Sequence, residues 1–283
     1  MLLAVGTPRI VGKAIEPRLR FVEQTKPDGA WAGRRLLTVD DVPAFELSFW
    51  CGTCQFLFER LQGATTTFSP NDTDRLTTGP GGLDDEVISR FGSLLPEGQY
   101  RPLLLQVEPR LIHPSKSGDY FAEEQVATWG LESFWGLPAY PRTPHYRTYE
   151  TAVDADAHLY EFVVPMVPPS WNVRDRVAAY AAELAGGATP TAVAVSILDV
   201  CTPAVERGAD CYTHWALTHF LLDGHHKMQA AAETGRSVRL LSLLAADAGL
   251  AEAAQVAELP TLRATTPQTR SPRARSHRGR NGA

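Results

Sequence analysis

Apolar residues fall in short blocks along this chain, and their spacing switches between two periods. Residues 36–39 and 44–50 are apolar runs separated by Asp40-Asp41-Val42-Pro43, which predicts two strands joined by a turn. Phe56, Leu57 and Leu61 fit a short helix after Cys54. Val87, Ile88, Phe91 and Leu95 lie at helical spacing within residues 83–95. Residues 103–107 read as a buried strand, and 119–129 as a helix with Ser117 or Asp119 near its cap. Residues 130–150 are rich in aromatics and prolines and read as a segment that lines a pocket or carries a stacking surface, or as a long loop pinned by its own rings.

From His158 onward the pattern becomes regular. Residues 159–164 form an apolar strand, and prolines keep 165–172 extended. Residues 173–184 are amphipathic, with Asn172 placed as the N-cap, and they stop at Gly186-Gly187. Residues 191–198 are a strand and 203–210 a loop. The apolar run 215–222 then halts at Asp223-Gly224. An alanine-rich helix follows and closes at Gly235, before a further strand at 238–244 and a terminal helix at 246–258. The order strand, helix, strand, strand, helix, strand predicts an α+β fold. The expected division is a mixed α/β region over 1–156, an α+β domain over 157–258, and a disordered tail over 259–283.

Composition changes this picture in two ways. The chain has 283 residues, 44% hydrophobic and 21% charged, ordinary for a soluble protein of one large or two modest domains. No apolar run approaches a membrane span, and the N-terminus lacks a basic start and long apolar core, so a cytoplasmic location is expected. The net charge of -5 hides an asymmetry. Residues 259–283 hold Arg263, Arg270, Arg273, Arg275, Arg278 and Arg280 and no acid, which leaves -11 on the rest. So acidic a body argues against a broad nucleic-acid surface, and any such contact would fall to the tail.

Two stretches carry candidate chemistry. Trp50-Cys51-Gly52-Thr53-Cys54 is similar to the thioredoxin active-site motif, in which a cysteine at a helix start is stabilised as thiolate. Cys51 and Cys54 are alternatively half a zinc site, with Cys201, Cys211, His214 and His113 as further ligands, or simply two small residues in a tight turn. The second stretch is Asp223-Gly224-His225-His226-Lys227. Gly, paired His and Lys at the start of a helix place side-chain donors beside unpaired backbone N–H groups, the arrangement that favours a phosphate. The bland alternative is a surface turn rich in histidine.

The order of elements resembles the ParB/sulfiredoxin-like fold. The matching residues run over about 157–246: Val164-Pro165 through Pro169, then Asn172-Val173-Arg174, then Gly186-Gly187-Ala188-Thr189-Pro190, and then Asp223 to Lys227 with Ala230-Ala231. The resemblance implies that this last box cradles nucleotide phosphates. His225 stands where a sulfiredoxin has its catalytic cysteine, and little chain remains for the DNA-binding helices of partition proteins, so the box looks most like the free-serine kinase branch. That implies Asp223 as general base with His226 as the second catalytic residue. Gly224, His225, His226, Lys227, Arg174 and Asn172 would bind phosphate, and ATP or ADP, or alternatively CTP, would bind with Mg2+. Two departures stand out. Lys227 replaces an arginine and loses its bidentate fork, and no glutamate follows the first strand, Glu161 lying inside it. The leading expectation is nucleotide-dependent phosphoryl transfer to a small hydroxyl-bearing molecule, amino-acid kinase-like, or nucleotide hydrolysis. The alternatives are a non-enzymatic nucleotide-responsive binding protein, touching nucleic acid through its tail, and a thiol or zinc function at Cys51 and Cys54.

Overall fold

The computed structural model describes residues 1–25, 31–48, 56–68, 82–129, 143–202 and 213–265. They form thirteen strands and five α-helices in a mixed arrangement, an α+β fold. The strands are β1 (Leu2–Val5), β2 (Arg9–Val11), β3 (Leu19–Thr25), β4 (Trp31–Val39), β5 (Val42–Ser48), β6 (Phe56–Arg60), β7 (Gly98–Val107), β8 (Arg110–Ile112), β9 (His145–Ala152), β10 (Ala157–Pro165), β11 (Thr191–Cys201), β12 (Thr213–Asp223) and β13 (Val238–Ala245). The helices are α1 (Asp85–Gly92), α2 (Glu124–Trp129), α3 (Arg174–Ala185), α4 (His225–Thr234) and α5 (Ala253–Arg263).

A nine-stranded sheet runs β1-β7-β13-β11-β12-β10-β9-β8, with β2 beside β1 on the same edge of β7. Its centre is built from two interleaved strand–helix–strand units. β10 pairs in parallel with β12 from Ala157 opposite Thr213 to Pro165 opposite Leu221, and β11 pairs in parallel with β13. β11 lies antiparallel against β12. The β10-α3-β11 unit therefore steps over β12, and the β12-α4-β13 unit steps over β11. Helices α3 and α4 pack against each other, and both begin where the parallel pair β10 and β12 ends.

The central strands are covered on both faces, which is why their sequences read as near-continuous apolar runs. On one face, Phe162, Val164, Val195, Phe220, Leu222 and Leu243 pack against the four-stranded antiparallel sheet β3-β4-β5-β6 and against α1. Phe45 meets Phe220 at 5.2 Å between ring centres, and Phe58 meets Phe162 at 5.5 Å. On the other face, Leu159, Val163, Ala194, Leu217, Leu221 and Leu240 pack beneath Val177 and Leu184 of α3, Met228 and Ala231 of α4, and Leu259 and Leu262 of α5.

Several expectations need correction. Residues 56–60 are strand β6, pairing with β5, rather than a helix. Five residues are too few to separate the two periods, and Phe58 points into the core. Asn172 is not the N-cap of α3; Val173 holds that position without a side-chain cap. The sheet runs without a break across residue 157, since β9 pairs with β10 and β7 with β13. The terminal helix lies later than 246–258 and includes Pro260, and the proposed tail boundary at 259 falls inside it. Of the expected loop 130–150, the last part is strand β9, with Tyr146 and Tyr149 buried, and residues 130–142 lie outside the described residues, as do Cys51, Cys54, the loop 203–210 and the arginines beyond residue 265.

Arg263 belongs with the core. It is 1% exposed and donates from Nε to Glu161 Oε2 at 2.6 Å and from Nη2 to Glu161 Oε1 at 3.2 Å. Its guanidinium lies 4.1 Å from the Tyr149 ring centre. Glu161 heads a buried polar row across four strands. His219 Nε2 is 3.8 Å from its carboxylate, His219 Nδ1 is 2.6 Å from Ser196 Oγ, and Ser196 Oγ is 2.7 Å from Ser242 Oγ. Burial alone would raise the Glu161 pKa, but the Arg263 charge and its hydrogen bonds, with the His219 ring nearby, hold it well below the usual carboxylate range. Removing one partner of such a pair leaves a buried charge uncompensated. Arg263→Met is therefore expected to lose about 3–5 kcal/mol in urea unfolding, and adding Glu161→Leu should return most of that loss.

Candidate active site

The best-built polar corner of the molecule lies where β10 and β12 end and α3 and α4 begin. At the end of β12 the chain turns through Gly224, with φ +93°. A Cβ there would lie 2.6 Å from Ala192 Cβ on the neighbouring strand β11. Glycine is required twice, for the left-handed backbone and for the close approach to β11. Helix α4 closes at Gly235, φ +61°, whose N–H bonds Ala231 O, as the sequence predicts.

His225 is 4% exposed, and its Nε2 accepts the Met166 backbone N–H at 3.0 Å, which puts its own proton on Nδ1. Burial pushes its pKa down to about 3; Asp223 opposes this, and the charges of His226 and Arg60 add to it. The ring is neutral and serves as a clasp between the ends of β10 and β12. His226 is only partly buried. Its Nε2 accepts the Val173 N–H at 3.1 Å, so it joins the start of α4 to the start of α3. Its pKa is lowered by burial and then by Arg176, with Asp223 opposing.

Lys227 is buried rather than free to meet a ligand. Its Nζ donates to Thr191 O at 2.9 Å and to Asp223 Oδ2 at 3.3 Å. Burial lowers its pKa, and the nearby Asp223 carboxylate opposes the shift. Asp223 itself is 4% exposed. Asn172 donates from Nδ2 to Gln229 Oε1 at 2.7 Å and to His225 O at 3.3 Å, so it ties the helices together. Arg174 makes a two-pronged pair with Glu233, at 2.7 and 3.1 Å, along the exposed flank of α4. Gln229 joins the same chain by donating to Glu233 Oε1 at 2.8 Å.

The structure thus brings Asp223, Gly224, His225, His226, Lys227 and Asn172 together and sends Arg174 along α4. Glu161 is remote from the box, held by Arg263 and by the Thr148 hydroxyl at 2.6 Å, and does not stand in for the missing glutamate. One cation at this corner had no signal in the sequence. Arg60, at the end of β6, donates from Nη1 to Ala64 O at 2.9 Å and Met166 O at 2.8 Å, and from Nη2 to Pro165 O. Burial pushes its pKa down to about 10. It caps the carbonyls that end β10 and makes no ion pair among the described residues. Trp171, 59% exposed, and Val173, 54% exposed, lie in the stretch that leads into α3, where the Val173 N–H meets His226. No group of three or more His, Cys, Asp or Glu poised for a metal is found among the described residues.

Gly224→Ala should destabilise the fold by about 2–4 kcal/mol in urea unfolding, from left-handed strain and overpacking against Ala192. A pH effect follows from His225 together with His145. The latter is 1% exposed and packed on the edges of Phe58, Phe121 and Phe162; its pKa is pushed down to about 4 by burial, which the Thr143 carbonyl opposes and Arg147 reinforces. Both folded values lie below the unfolded value of about 6.5, so the unfolded chain binds more protons in that window. Stability is full above about pH 6.5 and falls toward pH 4 by about 1.4 kcal/mol per unit for each ring. Urea titrations of His145→Phe between these limits should show a shallower fall by that amount per unit.

Compared with known proteins, the chain matches no family model, no curated protein and no solved structure.

Proposed function

We propose that the corner at the starts of α3 and α4 binds a phosphate-bearing nucleotide, and that the protein acts as a nucleotide-responsive binding protein. The observation that carries this reading is the pairing of two helix starts, joined by His226, with the exposed Trp171 two residues ahead of the Val173 cap. Helix N-termini favour anions, and the exposed face of Trp171 offers a stacking surface for a base. With Nε2 taken by Val173, neutral His226 carries its proton on Nδ1 as a donor. The exposed Arg176, whose charge lowers the His226 pKa, adds positive potential. The nucleotide is ATP, ADP or CTP, with magnesium brought in on its phosphates. A cytoplasmic setting belongs to the same proposal; no helix among the described residues is long and apolar enough to cross a membrane.

Binding is favoured over phosphoryl transfer for one reason. A general base must reach the acceptor hydroxyl, and the Asp223 carboxylate is buried and engaged by Lys227. The kinase reading requires this pair to open when the ligand arrives. Calorimetry with ATP, ADP and CTP in magnesium should show saturable binding to the wild type. Stacking on an aromatic contributes about 1–3 kcal/mol per base, so Trp171→Ala should weaken it by about tenfold or more. Phosphorus NMR of the same mixtures with amino acids and other hydroxyl compounds should show nucleotide left intact. A new phosphate ester, lost in Asp223→Asn, would overturn the binding reading in favour of transfer. No heat with any nucleotide would overturn both.

A further inference from the structure

We infer that Arg60 is a positioning residue for this corner. By gripping the Pro165–Met166 peptide group it fixes His225 as a neutral ring with its proton on Nδ1, and, on the nucleotide reading of the corner, that proton is the donor offered to a phosphate oxygen.

The connection runs through a single peptide group. Arg60 Nη2 donates to the carbonyl of Pro165, and the N–H of the same group, that of Met166, donates to His225 Nε2 at 3.0 Å. Arg60 Nη1 donates to the next carbonyl, Met166 O, at 2.8 Å, and to Ala64 O at 2.9 Å. One guanidinium therefore holds both peptide groups that flank the buried Met166, and so fixes the direction of its N–H. A planar fork spans two successive carbonyls, where a lysine ammonium offers only a point charge. Arg60 is itself set in place. Its backbone N–H donates to Thr143 Oγ1 at 2.9 Å, and its guanidinium lies 5.2 Å from the Phe45 ring centre.

These bonds act in one sense. A cation on the carbonyl polarises the peptide and strengthens its N–H as a donor. The Nε2 lone pair stays occupied, and a proton on Nε2 would meet the Met166 N–H head on. Burial is the main reason that the ring resists protonation, with a pKa of about 3. Asp223 at the end of β12, itself engaged by Lys227, opposes the shift, while His226 and Arg60 add to it. The Nδ1 atom makes no hydrogen bond among the described residues, although His225 is only 4% exposed. A buried donor without an acceptor costs free energy. This one belongs to the first residue of α4, where the N–H groups of His225, His226 and Lys227 precede the first helical bond, Met228 N–H to Gly224 O at 2.8 Å. A phosphate oxygen there meets a neutral donor beside free backbone amides.

Long-range proton–nitrogen NMR of the full chain reads which nitrogen of His225 carries the proton. Nδ1 should be protonated and Nε2 bare from about pH 8 to about 5. Arg60→Gln should raise the His225 pKa by about one unit or more and mix in the Nε2–H form, with Arg60→Lys in between. Where Arg60→Gln does not fold, the wild-type and Arg60→Lys spectra decide. Sulfate, and ATP with magnesium, should each shift the Nδ1–H resonance. A proton on Nε2, titration of the ring near its ordinary value of about 6.5, or Arg60 variants that match the wild type would overturn the inference. So would an Nδ1–H resonance unmoved by a nucleotide that calorimetry shows bound. An Arg60-dependent Nδ1 proton in a chain that binds neither sulfate nor nucleotide would instead overturn the nucleotide reading and the donor role, and establish the hold of Arg60 on His225 alone.

Discussion

The parallel pairing of β10 with β12 is the constraint on which the rest of the molecule depends. Its nine rungs bring the ends of two strands together, and with them the starts of α3 and α4. Every other part of the corner follows from that juxtaposition. His225 can reach Met166, and His226 can reach Val173, only because Pro165 and Leu221 are neighbours. The same pairing lines up Glu161 and His219 on the helix face, where α5 closes over them. Coverage on both faces turns each polar residue of these strands into a buried group that must find a partner.

The polar groups of the corner are mostly satisfied by one another. Lys227 answers Asp223, Asn172 answers Gln229, and Arg174 answers Glu233. A corner knit together in this way has its side chains held in place by one another. Most of its charges are spent on one another, and the half-buried His226 and the exposed Arg176 are what remain on its outer side.

Most of the second half of the chain was legible in the sequence, because its strands are long and its turns carry strong signals. Gly224 and Gly235 announce the limits of α4, and the apolar runs 191–198, 215–222 and 238–244 each locate a strand. Residues whose roles depend on partners distant in sequence were not legible. Arg263 reads as one more arginine beside a basic tail until Glu161, about a hundred residues earlier, is set beneath it. Arg60 ends a five-residue strand whose period cannot be told from a helical turn, and its targets are backbone carbonyls, which leave no mark in sequence. Asn172 has the right chemistry and position for a helix cap, but a stronger offer from Gln229 draws its amide across to α4.

The interleaving of the two strand–helix–strand units bears on how the chain acquires its shape. When β10, α3 and β11 have emerged from synthesis, the two strands cannot yet lie side by side, because the place between them belongs to β12. β11 in turn waits for β13, and β13 for the much earlier β7. Two neighbouring pairs, β9 with β10 and β11 with β12, form from contiguous chain, but joining them needs the parallel pairing of β10 with β12. Contacts so distant in sequence form slowly and together, and a nascent chain of this kind spends longer with open strand edges than one built from adjacent hairpins.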